Sequence, residues 1–396
     1  MRILITTAHL GIIGGVETYL QAVVRELTAQ GHAIGVLCGE AAPEGREAVA
    51  TAASNCHIWN LSAGDSLKLY ESVKAWSPDV VYSHGSFCSE IEDKLASRFP
   101  VVFYAHNYYG TCISGTKCHS KTSWNICERV LGAGCLPLYL PRGCGGQNPI
   151  TMWKLFRQQM ANRRRLQMYS VIAVASRHML DEYVRQGVPR QKLKLLPLFA
   201  PNASPSTEPP PPKRPNGRIV FVGRITPLKG LQHLLESLPI ASQELGRPLH
   251  LKVVGDGPER SRLEALAKRL GLDTEFLGWL SGAETTHHMA QSDLLAIPSL
   301  WPEPFGLVGI EAGSFGVPSV GYLRGGISDW LLPGVSGEAS ASSPPQPIDL
   351  AASLKRALID ETHWNQLRKG AWAVARQFTI EKHMSELTRL LEVTIK

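Results

Sequence analysis

The chain has 396 residues, 44% of them hydrophobic and 19% charged, and a formal net charge of +7 from 41 Lys and Arg against 34 Asp and Glu. These proportions exclude a disordered or fibrous chain, and the length suggests two or three domains. No run of about 18 apolar residues occurs, so no transmembrane helix is expected, and eight cysteines are no secreted disulfide scaffold in so long a chain. The basic balance suits an anionic substrate or an acidic membrane surface. Nucleic acid is not the expected partner, because no zinc finger, basic zipper or aromatic RNA-binding signature is present.

Residues 2–8, RILITTA, form an apolar run suited to a central parallel strand. No small-residue cleavage site follows it, and an amphipathic helix containing Glu17 begins directly. The start therefore reads as a buried strand and not a signal peptide, and the protein as cytoplasmic. After the turn Gly11-Ile12-Ile13-Gly14-Gly15, apolar residues Val16, Tyr19, Leu20, Val23, Val24 and Leu27 recur at helical spacing until Gly31. Further strands are predicted at 33–38, 79–83, 101–105 and 171–175, the last followed by a helix to about Gln186. Strands alternating with helices mean an α/β domain with a parallel sheet.

The proline-dense stretch 200–216 excludes regular structure and reads as a semi-rigid tether between domains. Asn202-Ala203-Ser204 is formally a glycosylation sequon, of no consequence in a cytoplasmic setting. The alternation then restarts, with strands at 218–222, 249–254, 274–277, 294–297 and 318–322 and helices from Ile348 to the end. The domains expected are 1–200 and 217–375, with 376–396 as a closing helix that can pack back on the first. Open sheets of this kind bind ligands beyond the carboxyl ends of their strands.

The chemistry concentrates in 301–313, WPEPFGLVGIEAG. Pro302 and Pro304 hold Glu303 on a loop, while Leu307, Ile310 and Glu311 read as the first turns of a helix. Strand, loop and helix in that order point free backbone N–H groups at an anion. Glu303 can accept from sugar hydroxyls, and Glu311 can take a ribose diol; a common loop Glu-Pro and a solvated helix residue are the plain alternative. In FVGRITPLKG, residues 221–230, Arg224 and Lys229 flank a Gly/Pro turn at a strand's carboxyl end. Arg can fork onto phosphate oxygens and Lys adds a point charge; two solubilising surface cations are the plain alternative. Gly14-Gly15 allow close backbone approach, without the G-x-G-x-x-G of a dehydrogenase. His106 ends the apolar strand 101–105.

Taken together, these segments resemble the retaining nucleotide-sugar glycosyltransferases of the GT-B fold, family 4, also called glycosyl transferases group 1. EPFGLVGIEA is similar to the family's E-x7-E segment, GGVETYL to its first glycine loop, and VGRITPLKG to the Arg/Lys pair facing the leaving diphosphate. VVGDGP at 253–258 resembles its strand-end turn near the nucleotide, and FLGWL at 276–280 the segment whose backbone meets the base. His106-Asn107 is similar to the His-Asp or His-Asn pair near the transferred sugar. The resemblance implies two Rossmann-like domains facing across a cleft. It implies retaining transfer of a sugar from a UDP- or GDP-linked donor to a sugar or lipid-linked hydroxyl acceptor, in polysaccharide, lipopolysaccharide or glycolipid assembly. Donor contacts are implied for Gly14, Gly15, Arg224, Lys229, Gly255, Leu280, Glu303, Phe305, Gly306, Leu307, Val308 and Glu311, and catalytic roles for His106, Glu303, Arg224 and Lys229. Two fixed cations make a catalytic Mg²⁺ unnecessary, and the sequence has no Asp-x-Asp motif. An epimerase on the same fold and a non-catalytic sugar-nucleotide-binding protein are the rival readings.

Residues 108–150 depart from the family pattern. Cys112, Cys118, Cys127, Cys135 and Cys144 lie in this irregular, Gly-rich insertion, with five, eight, seven and eight residues between successive cysteines. Thiolates suit a structural zinc or an iron–sulfur cluster; buried free thiols or a disulfide are the alternatives. Beyond it, Trp153, Phe156 and Met160 can share a helix face edged by Lys154, Arg157 and Arg163–Arg165. That pattern fits an interfacial helix peripheral to an anionic membrane, or a solvated helix covering the sheet.

Overall fold

A strand covered on both faces needs a near-continuous apolar run, and β1, Arg2–His9, supplies one at its centre: Ile3, Leu4 and Ile5 have no exposed surface. The computed structural model describes residues 1–12, 14–42, 48–49, 56–63, 65–85, 88–120, 123–203 and 206–395. Four further strands follow, β2 (Ala33–Glu40), β3 (His57–Asn60), β4 (Val80–Ser83) and β5 (Val101–Ala105). The chain then makes an antiparallel hairpin, β6 (Cys118–His119) with β7 (Asn125–Ile126), before β8 (Val171–Val174) and β9 (Leu193–Leu195). Apart from that hairpin these strands form one parallel sheet of order β3-β2-β1-β4-β5-β8-β9.

The second sheet comprises β10 (Arg218–Val222), β11 (His250–Val254), β12 (Asp273–Gly278), β13 (Leu294–Ile297), β14 (Ser319–Tyr322) and β15 (Gly337–Ser340). Its order is β12-β11-β10-β13-β14-β15, again parallel. Each sheet is doubly wound, and each reverses its winding once, between β1 and β4 and between β10 and β13. At such a reversal the loops leaving the two strands diverge and open a crevice beyond the carboxyl ends. The fold expected from the alternation is therefore present in both halves.

Two compact units result. The first takes Met1–Thr116, Glu128–Pro197 and the chain from Ile380 onward; the second takes Lys117–Cys127 and Leu198–Thr379. The terminal helix, Ile380–Ile395, buries His383, Met384, Leu387 and Leu391 in the first unit. In the second, Leu234, Leu235, Leu294, Leu354 and Trp364 are wholly buried in one core, each worth roughly 1.5–3 kcal/mol relative to exposure.

Two expectations need correction. The described part of 200–216 has no helix or strand, as expected, but it belongs to the second unit and does not stand between domains as a tether. Arg368 Nη1 donates to Pro211 O at 2.5 Å, Trp372 Nε1 to Ser206 O at 3.0 Å, and the Asn365 side chain pairs with the Lys213 backbone at 3.1 and 2.9 Å. These bonds hold the segment along the helix Glu361–Ala375. Ser204, the third residue of the sequon, lies outside the described residues, as does Ile13 of the first glycine loop.

The second correction concerns the helix Pro149–Met168. Phe156 and Met160 turn inward, packing with Met152 and Leu155 on a small core of Ile113, Leu131 and Tyr139. Arg165 is buried, 2.5 Å from Asp93 and 3.2 Å from Glu92, and Arg163 donates to Leu131 O. What remains at the surface is Ile150 and Trp153, 79% and 51% exposed, with Lys154, Arg157 and Arg164. Among the described residues no helix is long and apolar enough to cross a membrane.

Candidate functional site

In the second unit the loops leaving β10, β13 and β14 gather the expected groups. Lys229, in the turn after β10, places Nζ 2.7 Å from Oε1 of Glu303. Ser299, two residues beyond the end of β13, donates to the same oxygen at 2.6 Å. The Glu303 backbone is clamped to the loop after β14: its N–H donates to Arg324 O at 3.2 Å and its carbonyl accepts from Gly326 N at 2.6 Å. A buried carboxylate costs little only when paired and hydrogen-bonded, and Glu303, 5% exposed, has both kinds of partner. Arg224 is exposed on the same β10 loop, and among the described residues it forms no ion pair.

Phe305 is buried, and its carbonyl accepts from Trp330 Nε1 at 2.7 Å. Gly306 then takes a φ of +82° as the N-cap of the helix Leu307–Ser314, a conformation that other residues adopt only with strain. Among the described residues no side chain caps that helix start; Gly309 N–H donates to Gly306 O at 3.1 Å, which leaves the N–H groups of Leu307 and Val308 to an anion. Leu307 and Val308 are half-buried in its first turn. Glu311, one turn further, is buried, and burial pushes its carboxyl up to about 7 against a hydrogen bond from Asn202 that lowers it. On the neighbouring strands, Gly255 has a φ of +129° and a Cβ there would lie 2.1 Å from Gly223 O. Only glycine lets the β10 and β11 loops meet so closely. Leu280 is half-buried just past β12. The second unit thus brings together Lys229, Glu303 and the uncapped helix start, with Arg224 on the Lys229 loop and Glu311 in that helix.

In the first unit Gly14 and Gly15 are exposed at the start of the helix Gly15–Ala29, and a Cβ on Gly15 would meet nothing within 4 Å. Glu17 is buried in its first turn. His106 follows β5 and is half-buried; its Nε2 lies 2.7 Å from Nδ1 of His84, which follows β4. Tyr19, Tyr82 and Tyr104 surround the pair. Tyr19 meets His106 edge-on at 5.5 Å between ring centres, Tyr82 meets His84 edge-on at 4.3 Å, and Tyr104 stacks on His84 at 6.0 Å. Burial, with His383 adding to it, brings His106 down to about 3. Burial also lowers His84 well below its ordinary value and raises all three tyrosines. At neutral pH the cluster is uncharged.

The cysteines expected to hold a structural metal are divided between the two units. Cys118 and Cys127 belong to the β6–β7 hairpin of the second unit, and Cys112, Cys135 and Cys144 to the first. Among the described residues no group of three or more His, Cys, Asp or Glu is placed to hold a metal, and no cysteine is in a disulfide. Cys118 Sγ donates to Leu300 O at 3.6 Å and Cys135 Sγ to Val130 O at 3.7 Å. Burial pushes the Cys118 thiol up to about 11, although Arg324 beside it acts the other way. Such thiols pack as small hydrophobes.

Sequence reasoning passed over four polar residues of these sites. Ser299 and Arg324 sit at strand ends flanking the Glu303 loop, and Arg324 also donates to Trp124 O of the hairpin segment at 2.9 Å. Asn202 was hidden in the proline-rich segment. His84 occupies after β4 the place that His106 occupies after β5, and that shared position was the available signal.

Residues 13–200 match the family described as Glycosyltransferase Family 4, and residues 207–373 the family described as Glycosyl transferases group 1. Over 165 residues the chain is 33% identical to a 2-deoxystreptamine glucosyltransferase of Streptomyces kanamyceticus, covering 41% of this chain and 42% of that protein. Over 180 residues it is 34% identical to a D-inositol 3-phosphate glycosyltransferase of Nocardioides sp., covering 41% of this chain and 38% of that one. The matched part thus spans about two fifths of these relatives' length. Among solved structures, Anabaena HepE in complex with UDP-glucose is similar over 99% of this chain and 100% of its own, with TM-score 0.68 and 19% identity. WaaG, a glycosyltransferase involved in lipopolysaccharide biosynthesis, is similar over 98% and 99%, with TM-score 0.69 and 16% identity.

Proposed function

Since the chain belongs to the family 4, group 1 glycosyltransferases of the GT-B fold, we propose that it moves a sugar from a nucleotide-sugar donor to a hydroxyl acceptor with retention of configuration. The observation that carries this reading is the Lys229–Glu303–Ser299 cluster beside the uncapped helix start at Gly306. Arg224 and Lys229 take the diphosphate and stabilise the charge developing on the leaving nucleoside diphosphate. Once Lys229 turns to phosphate, Glu303 accepts from donor hydroxyls. Glu311 takes the ribose, and Gly14, Gly15 and His106 serve the transferred sugar. A retaining glycosidase sets two carboxyl groups about 5–5.5 Å apart across the bond. Here one carboxylate is assigned to hydroxyls and the other to ribose, so attack by the acceptor on the face the donor leaves, assisted by a phosphate oxygen, is the consistent route. The chemistry needs no metal ion.

UDP is the first donor to try, because the similar HepE structure holds UDP-glucose; GDP-linked donors are second. The acceptor is a sugar or lipid-linked sugar in polysaccharide, lipopolysaccharide or glycolipid assembly. The exposed Ile150 and Trp153 beside Lys154, Arg157 and Arg164 support a cytoplasmic enzyme peripheral to an anionic inner membrane face.

The test is a donor screen with acceptor pools, reading free nucleoside diphosphate and the anomeric configuration of product in the presence of a chelator. Release that depends on acceptor, with retained configuration, supports the proposal. Conversion of the donor sugar without acceptor points to an epimerase.

A further inference from the structure

The first unit contains a chain of hydrogen bonds whose direction is fixed from one end. His383 Nδ1 lies 2.7 Å from the carbonyl oxygen of Pro197, and a carbonyl can only accept, so the His383 proton is on Nδ1. Burial brings His383 down to about 4, so the ring is neutral and its Nε2 is an acceptor. Tyr19 O–H therefore donates to His383 Nε2 at 2.8 Å, which leaves Tyr82 O–H to donate to the Tyr19 oxygen at 2.6 Å. Tyr104 O–H donates to Leu196 O at 2.7 Å. None of these protons is available to the His84–His106 pair, which must settle its own.

A neutral His84 has one N–H. On Nε2 that proton would be stranded, because among the described residues the buried His84 Nε2 has no hydrogen-bond partner. An orphaned buried donor costs about 1–3 kcal/mol, and such N–H groups are rarer than under-satisfied acceptors. On Nδ1 it closes the 2.7 Å bond to His106 Nε2. His106 is then an acceptor at Nε2 and carries its proton on Nδ1.

We infer that His84 is a positioning residue that locks His106 into the Nδ1–H tautomer, so that His106 serves its ligand as a hydrogen-bond donor and not as a general base. The catalytic consequence rests on the glycosyltransferase reading above. A donor suits an oxygen of the transferred sugar, whether a hydroxyl or an oxygen gaining charge as the glycosidic bond loosens. It cannot deprotonate an acceptor hydroxyl from the same nitrogen. The second face of the cluster, Tyr19, Tyr82, Tyr104 and His383, offers no ionised group that would reverse the assignment.

The tautomer is measurable without substrate. Long-range ¹⁵N–¹H correlation spectra of histidine-labelled protein, with His106→Gln and His84→Asn used for assignment, should show His106 protonated on Nδ1 and bare on Nε2 at neutral pH. An Nε2–H or imidazolium signal for His106 overturns the inference. The kinetic arm compares His84→Phe with His84→Asn, whose amide nitrogen can replace Nδ1–H. The expected result is a fall in kcat of about 10–100-fold for Phe, the scale of losing an orienting partner, with donor KM little changed and most of the rate restored by Asn. Equal rates for wild type, Phe and Asn overturn the positioning role. If no nucleotide sugar is ever turned over but the Nδ1–H signal is present, the glycosyltransferase reading fails and the tautomer assignment stands.

Discussion

Lys229 Nζ and Glu303 Oε1 lie 2.7 Å apart, an ion pair that ties the loop after β10 to the loop after β13 across the point where the second sheet reverses its winding. A phosphate competes with Glu303 for that ammonium, and a sugar hydroxyl competes with the ammonium for that carboxylate. In the proposed reaction the pair is a placeholder for the two halves of a sugar diphosphate. Glu303→Gln keeps the shape and removes the charge. Turnover is expected to fall about 100–1,000-fold, the scale of losing one preorganised electrostatic contact. The change in Tm should be small, because Lys229 is 31% exposed and is rehydrated when the pair is lost. Steady-state rates and a melting curve on the same preparation check both halves.

Glu311 gives the protein a pH dependence of stability that its nucleotide should alter. Its carboxyl, raised to about 7 by burial, stays protonated in the folded state where the unfolded chain, with an ordinary value of about 4.3, has released its proton. Between those values the folded state binds more protons, so stability falls as pH rises from about 4.3 to about 7 and the full cost is present above that. Glu311→Gln should raise Tm at pH 7.5 and have no such effect at pH 4.5. Melting curves at the two pH values decide it; an equal effect at both would remove Glu311 as the source.

The histidine cluster has the opposite sign. His106 and His383 are lowered to about 3 and about 4, so the unfolded chain takes up protons first as pH falls below about 6.5. Stability from this cluster is intact above about 6.5 and is lost progressively as pH falls through the folded values. His383→Gln should flatten the acid side of the stability profile, read by chemical denaturation at pH 7 and pH 5.

Trp330 is the wedge that sets the Glu303 loop. A Cβ on Gly309 would lie 2.0 Å from the Trp330 ring, and Trp330 Nε1 holds Phe305 O at 2.7 Å. Gly309→Ala forces the indole to move and pulls Phe305 and Gly306 with it. Overpacking of this kind costs about 1–3 kcal/mol, and donor affinity should drop along with Tm. Calorimetric binding of UDP to the variant checks the coupling.

The surface at Ile150 and Trp153 predicts binding to anionic vesicles. Trp153→Glu should abolish flotation with vesicles rich in acidic lipid at low salt and leave turnover of a water-soluble acceptor intact. Flotation equal to wild type would place any membrane contact elsewhere.

Much of this arrangement was legible in the chain itself. The runs 2–8, 101–105 and 294–297 are apolar enough that only a covered parallel strand accommodates them, and β1, β5 and β13 are there. The Glu303 loop was legible because prolines, glycine and the following helix start each constrain the same few residues. Other strands were not, because β3 (HIWN) and β15 (GEAS) are short and partly polar, and their pairing is decided by the neighbouring strand. Arg165 and Arg163 looked like surface cations, since local spacing cannot show that Asp93, Glu92 and a carbonyl await them. The division of the cysteines was not legible for the same reason: nothing local shows that the hairpin with Cys118 and Cys127 belongs to the second unit. His84 was missed because its meaning lies in a bond to a residue 22 positions away.

The account depends on Arg224 and Lys229 receiving a nucleoside diphosphate, and calorimetric titration of UDP and GDP tests that most directly. One of the two should bind wild-type protein without added metal, and Arg224→Ala and Lys229→Ala should each weaken it at least about tenfold, as expected for a hydrogen bond to a charged group. Binding of that nucleotide to the double variant with undiminished affinity would contradict the assignment.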